Sequence, residues 1–152
     1  AARIGFVAGG QFTEQIRVAR QLASIATEPL QQEMIAGYLA SGHYGRHLAR
    51  MRRALAAQVE EMGELVAAGF PRGTRVSRPA GGFVLWVELP GEVDALAVWE
   101  RARSERIDFV PGPLFSASGR YANCLRLNCG QPVTPAVRAA LGRLGALAAG
   151  AA

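Results

Sequence analysis

A chain of 152 residues, half of them apolar, is long enough for one domain with a real core, and no apolar run approaches the length of a bilayer span. The opening AARIGFVAGG lacks the basic-then-apolar build of a signal peptide, so a soluble, cytoplasmic protein with reduced cysteines is expected. The net charge of +5 comes from seventeen arginines scattered from Arg3 to Arg143, a spread that argues against a nucleic-acid face, and the lack of any lysine removes chemistry that needs an amine side chain, Schiff-base formation included.

RIGFVAGG reads as a strand, with Ile4, Phe6 and Val7 apolar, running into a glycine turn. FTEQIRVARQLASIAT follows as a helix, with Thr13 near its start and Ile16, Ala19, Leu22 and Ala23 at helical spacing. EPLQQEMIAGYLASG suggests a second helix, with Pro29 in the first turn and Gly42 at the stop. From His43 to about Ala68, the spacing of Leu48, Met51, Leu55, Val59, Met62, Leu65 and Val66 makes the strongest helical signal in the chain. This helix carries Arg46, Arg50, Arg52 and Arg53 in its first half and Glu60, Glu61 and Glu64 in its second, the reverse of what the macrodipole prefers. Either tertiary contacts offset a small penalty or the charges sit in solvent. His43 and His47 are four apart, but no third ligand or HExxH pattern accompanies them, so no metal is assigned.

After the breaker GFPRGTRVSRPAGG, the segment FVLWVEL is apolar on both faces except at Glu88 and reads as a central strand buried on both sides. Asp94 caps ALAVWERARSE, where Leu96, Trp99 and Ala102 or Arg103 make one helical face, and RIDFVPG returns as a short strand. PLFSASGRYA is loop. NCLRLNCG is a strand that places Leu125, Leu127 and Cys129 on one face and Cys124, Arg126 and Asn128 on the other. The two cysteines point apart and do not easily bridge. A guanidinium beside an amide suits an anion better than a hydrophobic layer, although an edge-strand arginine in solvent fits the pattern as well. TPAVRAALGRLGALAAG closes the chain as a helix with Thr134 as N-cap, Pro135 at its first position, and Val137, Leu141 and Leu144 on one face. Three helices, then strand, helix, strand, strand and helix make an α+β arrangement: a small, mostly antiparallel sheet covered by helices and preceded by a long helix. The arginine face then needs a cover, which the long helix or another domain would provide.

Four stretches in order, RIGFVAGG, GHYGRHLARMRRAL, RPAGGFVLWVELP and VPGPLFSASGRYANCLRLNCG, resemble the C-terminal part of a fold-type I pyridoxal-phosphate aminotransferase of class I/II. The last is especially similar to the aminotransferase-like domain of MocR-type regulators, a branch of the GntR transcription factors in which that domain follows a winged helix-turn-helix. The resemblance covers essentially the whole chain. It implies that residues 1–42 are a remnant of the large cofactor-binding domain with its linking helices and that residues 43–152 are the C-terminal small domain. It gives Arg126 the role of the arginine that clamps the substrate α-carboxylate and Arg3 that of the arginine on the cofactor phosphate. A planar guanidinium agrees with the first role, since it offers two parallel charge-assisted hydrogen bonds and keeps its charge at any working pH.

The family's Schiff-base lysine belongs a few residues before Arg3, so the chain reads as a piece of a longer protein that holds pyridoxal 5'-phosphate, with no covalent cofactor link and no catalytic residue within these residues. The implied parent is a homodimer that binds an amino acid substrate or effector and touches DNA only through a domain further upstream. An ordinary aminotransferase is the alternative, and a self-standing basic binding module is a third possibility that the scattered arginines do not favour.

Overall fold

The computed structural model describes residues 4–24 and 28–151, which fall into two compact units, residues 1–49 and 50–152. In the first, Ile4–Gly9 form no strand, contrary to the expectation for RIGFVAGG, and Phe6 and Val7 stand exposed. A strand needs a neighbour for its backbone N–H and C=O groups, and the four-stranded sheet seen among the described residues lies wholly in the second unit. A 3-10 turn, Gly10–Phe12, leads into helix α1, Thr13–Ala23. The helix ends at Ala23, where Ser24 turns extended (φ −154°, ψ 132°); the last part of the expected helix, residues 25–27, lies outside the described residues. Helix α2 spans Pro29–Ala40, its Pro29 at the helix start where a missing N–H costs nothing and the Glu28 carboxylate accepting from the Leu30 N–H at 3.3 Å. Gly42, at φ +70°, turns the chain into helix α3, His43–Gly69. No described residue of the first unit is buried.

The second unit takes up α3 from Arg50 and adds β1 (Arg75–Val76), β2 (Val84–Glu88), α4 (Ala95–Ser104), β3 (Val110–Pro111), β4 (Cys124–Asn128) and α5 (Pro135–Ala149). The sheet runs β1-β2-β4-β3 with every pairing antiparallel. Leu85 and Val87 of β2 lie opposite Leu127 and Leu125 of β4, and these four form one side of a core completed by Met62 and Val66 of α3, Val98 and Ala102 of α4, and Leu141, Leu144 and Leu147 of α5. The second half of α3 therefore shares the face covered by α4 and α5. It does not cover the arginine face of the sheet.

Three expectations from the sequence need correction. β2 is central but alternates, with Leu85 and Val87 buried and Val84, Trp86 and Glu88 half-buried, because the helices of the second unit pack on the Leu85–Val87 face. Glu88 is tolerated in this apolar strand because it ion-pairs across the ladder with Arg75 of β1, a strand too short to announce itself within the breaker segment. The buried stripe of α4 is Ala95, Val98 and Ala102 instead of one led by Leu96, which is exposed; Trp99 sits at the margin and donates its indole N–H to Asp108 at 2.8 Å.

Caps match their sequence signals: Asp94 accepts from the Leu96 N–H at 2.8 Å and Thr134 from the Val137 N–H at 3.3 Å. Glu61 of α3 pairs with Arg138 of α5, so at least one acid of the long helix is used in tertiary contact. Arg143 makes a two-pronged contact with Glu105, both distances 2.6 Å, tying α5 to the end of α4. Close packing of α5 on the end of α3 requires Gly145, where a Cβ would lie 2.1 Å from the Gly69 carbonyl oxygen. Cys124 and Cys129 are free and buried.

Candidate functional site

Alternation along β4 sends Leu125 and Leu127 into the core and turns Arg126 to the opposite face, where it is half-buried. The ladder register places Trp86 of β2 directly across from Arg126, with Val110 of β3 on its other side. Cross-strand partners project to the same face, so Trp86 and Arg126 are neighbours although forty residues apart in sequence.

The segment between β3 and β4 closes over them. A 3-10 turn, Gly112–Phe115, brings the Phe115 ring under the Arg126 guanidinium, whose central carbon lies 5.0 Å from the ring centroid. Trp86 meets Phe115 edge-on at 5.5 Å and 73°, and Tyr121 meets Trp86 at 5.4 Å and 85°. Arg120 stacks on the outer side of Tyr121 at 5.2 Å. Tyr121 has φ +67°, a left-handed conformation that a side chain with a Cβ adopts only when its surroundings impose it. They do so here: the Cys124 N–H donates to the Tyr121 carbonyl at 3.0 Å, the Ala95 N–H to Ala122 at 2.8 Å and the Leu89 N–H to Asn123 at 2.9 Å. The Ser116 hydroxyl oxygen accepts from the N–H groups of Ser118 and Arg120 at 3.2 and 3.3 Å, which shapes the intervening loop.

Among the described residues, no carboxylate forms an ion pair with Arg126. The Phe115 ring lies beneath its guanidinium carbon, 5.0 Å away at the centroid. What this cluster can do chemically is hold a carboxylate or another planar anion. The Asn128 amide, expected to act beside it, is instead spent locally, its Oδ1 accepting from the Gly130 N–H at 2.8 Å.

Arg3, the residue expected at a cofactor phosphate, lies outside the described residues. Among the described residues no three His, Cys, Asp or Glu side chains gather in a way that would hold a metal, and His43 Nδ1 is 2.8 Å from the Ser41 hydroxyl. Burial, aided by the charge of Glu88, pushes the Cys124 thiol above its ordinary value, and burial does the same for Cys129, so neither is poised as a thiolate nucleophile. A groove of about 780 Å³ between α3, at Val59, Gly63 and Ala67, and residues 74–82 opens on the helix side of the sheet, away from Arg126. No helix among the described residues is long and apolar enough to cross a membrane.

The sequence pattern singles out Arg126 and not Phe115, Trp86 or Tyr121, which the fold gathers beside it. The available signal was weak: an aromatic on the outward register of β2, and two more in the loop before the arginine strand.

Comparison with known proteins gives a consistent picture. The family profile described as aminotransferase class I and II matches residues 1–144. An HTH-type transcriptional regulator of Escherichia coli (strain K12), YjiR, is 36% identical over 143 residues, covering 94% of this chain and 30% of that protein. The 2-aminoadipate transaminase of Thermus thermophilus is 33% identical over 127 residues, covering 83% of this chain and 32% of that enzyme. Among solved structures, the alpha-aminoadipate aminotransferase LysN of Thermus thermophilus, complexed with N-(5'-phosphopyridoxyl)-L-leucine, superposes with a TM-score of 0.81 at 30% identity, over 95% of this chain and 37% of its own. The chain thus spans about a third of the length of the relatives it matches.

Proposed function

The chain belongs to the aminotransferase class I and II family, and on that premise we propose that its second unit supplies the α-carboxylate site of a pyridoxal-phosphate-dependent regulator of the MocR type. In this reading residues 1–42 are a remnant of the large domain with its linking helices and residues 43–152 form the small domain. The whole protein is a cytoplasmic homodimer that senses an amino acid and reaches DNA through a winged-helix domain outside this chain. The observation that carries the reading is Arg126, on the face of the sheet opposite the core-forming helices of the second unit, over an aromatic ring and with no acid partner among the described residues.

Arg126 would bind the carboxylate through two parallel N–H···O contacts and so set the orientation of the amino acid. Phe115 and Trp86 would keep water from one side of that contact and strengthen it. Bound pyridoxal phosphate supplies an electron sink for chemistry at the amino acid's α-carbon. With no lysine anywhere in its sequence, the chain's residues suit the carboxylate end of the ligand and offer no amine for attaching the cofactor. Similarity to 2-aminoadipate transaminase supports a second reading, in which the same site serves amino-group transfer.

The test is titration of the full-length protein with pyridoxal phosphate and with amino acids. Arg126→Gln should weaken amino acid binding by about 2–5 kcal/mol, tens to thousands of fold, while leaving cofactor affinity nearly unchanged. Leu125→Ala, one residue away but in the core, should lower stability instead. Unchanged amino acid affinity in a folded Arg126 variant overturns the assignment.

A further inference from the structure

A guanidinium on a flexible stem binds a carboxylate through two parallel bonds most readily when its plane is held, and a charged side chain taken out of water is ordinarily paired. Arg126 has no acid partner among the described residues. An acid would also be a poor choice at this position, because it would take up the N–H edge that an anionic ligand needs. An aromatic ring avoids the conflict: it attracts the cation through its face and leaves the in-plane N–H donors free.

Resting on the carboxylate reading of Arg126, we propose that Phe115 is the positioning residue of that site. Its ring fixes the plane of the Arg126 guanidinium without neutralising it; Trp86 braces Phe115, and Tyr121 braces Trp86. The bracing is built into the backbone at both ends. Trp86 is locked opposite Arg126 by the β2–β4 ladder. Tyr121 is held at φ +67° by the turn whose carbonyl accepts the Cys124 N–H at the start of β4. Phe115 itself follows Gly112, whose missing side chain lets the 3-10 turn press against the Tyr121 carbonyl and against Cys124.

The preference that follows is for ligands that carry a carboxylate, and Phe115 should raise discrimination between an amino acid and the corresponding amine that lacks it. The experiment uses the full-length protein with its cofactor and four probe pairs: leucine, phenylalanine, aspartate and 2-aminoadipate, each against the amine made by removing every carboxyl group it carries. Phe115→Leu should reduce the preference for the amino acid by about three- to tenfold, the range expected of a partly solvated cation–π contact, with amine binding unchanged. Phe115→Tyr, which keeps the ring, should restore it. A readout independent of any ligand is the Arg126 Nε–H proton resonance, which should be shifted upfield by the ring, lose that shift in Phe115→Leu and keep it in Phe115→Tyr.

If Arg126→Gln abolishes the preference but Phe115→Leu leaves both it and the resonance intact, the positioning role is overturned and the carboxylate reading stands. Retention of the preference in Arg126→Gln, or failure of all four amino acids to bind the unaltered protein, overturns the carboxylate reading and this proposal with it.

Discussion

Gly112→Ala is the substitution that most directly tests how the loop is built onto the sheet. A Cβ placed on Gly112 lies 2.3 Å from the Tyr121 carbonyl oxygen, 2.8 Å from the Cys124 Cβ and 2.8 Å from the Cys124 carbonyl oxygen. Two of those three atoms belong to the main chain, so no rotamer change relieves the overlap. Reaching ordinary contact distance requires the turn and the Tyr121 segment to separate by about 1 Å. That movement strains the bond from the Cys124 N–H to the Tyr121 carbonyl and loosens a residue already in a costly conformation.

Overpacking of this kind costs roughly 1–3 kcal/mol, and backbone on the opposing side places it in the upper part of that range. For a unit of this size the melting temperature should fall by about 4–8 °C for each kcal/mol. Urea unfolding followed by tryptophan fluorescence is the assay, since both tryptophans, Trp86 and Trp99, lie in the second unit. Gly142→Ala is the control. It sits within α5, and nothing lies within 4 Å of the position its added methyl would take, so the same change there should stabilise by about 0.5–1 kcal/mol. A Gly112→Ala protein within 0.5 kcal/mol of the parent, a bound well under the roughly 1 kcal/mol minimum expected, would refute the close approach of the turn to β4.

Two further outcomes follow from the same unit. Arg106 closes α4 at φ +61°, with its N–H bonded to the Arg103 carbonyl at 2.9 Å and the Ile107 N–H to Ala102 at 3.0 Å, so Arg106→Gly should raise stability by about 1 kcal/mol in thermal unfolding, and a loss would show that the arginine side chain outweighs the strain. Hydrogen bonding from Arg75 holds the Glu88 carboxyl below its ordinary pKa, and Arg143 does the same for Glu105. A depressed folded-state pKa gives stabilisation that is complete above the unfolded value, about 4.3, and is lost as the pH falls through the folded one. Unfolding midpoints from pH 7 to pH 3 should therefore decline at the acid end, less so in Glu88→Gln/Glu105→Gln, and an identical acid slope in that double variant would exclude these pairs as a source.

What was legible in the sequence is what neighbours along the chain decide. The 3.6-residue spacing from Leu48 to Val66 specifies α3, Thr134 followed by Pro135 specifies where α5 begins, and alternation in NCLRLNCG separates Arg126 from Leu125 and Leu127 before any fold is known. RIGFVAGG shows the opposite case: its residues favour a strand, but a strand exists only where another pairs with it, and no described strand pairs with Ile4–Gly9. The buried stripe of α4 is a related case: Leu96 and Val98 are both strongly apolar, and only the position of the sheet decides that Val98 is covered and Leu96 exposed.

The candidate site divides along the same line. Composition alone determined that no side-chain amine is present, and local pattern singled out Arg126 as a cation on a strand whose other face is core. Which residues surround that cation was decided only by tertiary structure. The β2–β4 register sets Trp86 opposite Arg126, and the closure of a loop over the sheet delivers Phe115 and Tyr121 to the same point. Those contacts join residues far apart in the chain, and their geometry depends on ladder register and on one close backbone approach at Gly112, neither of which leaves a periodic trace in the sequence.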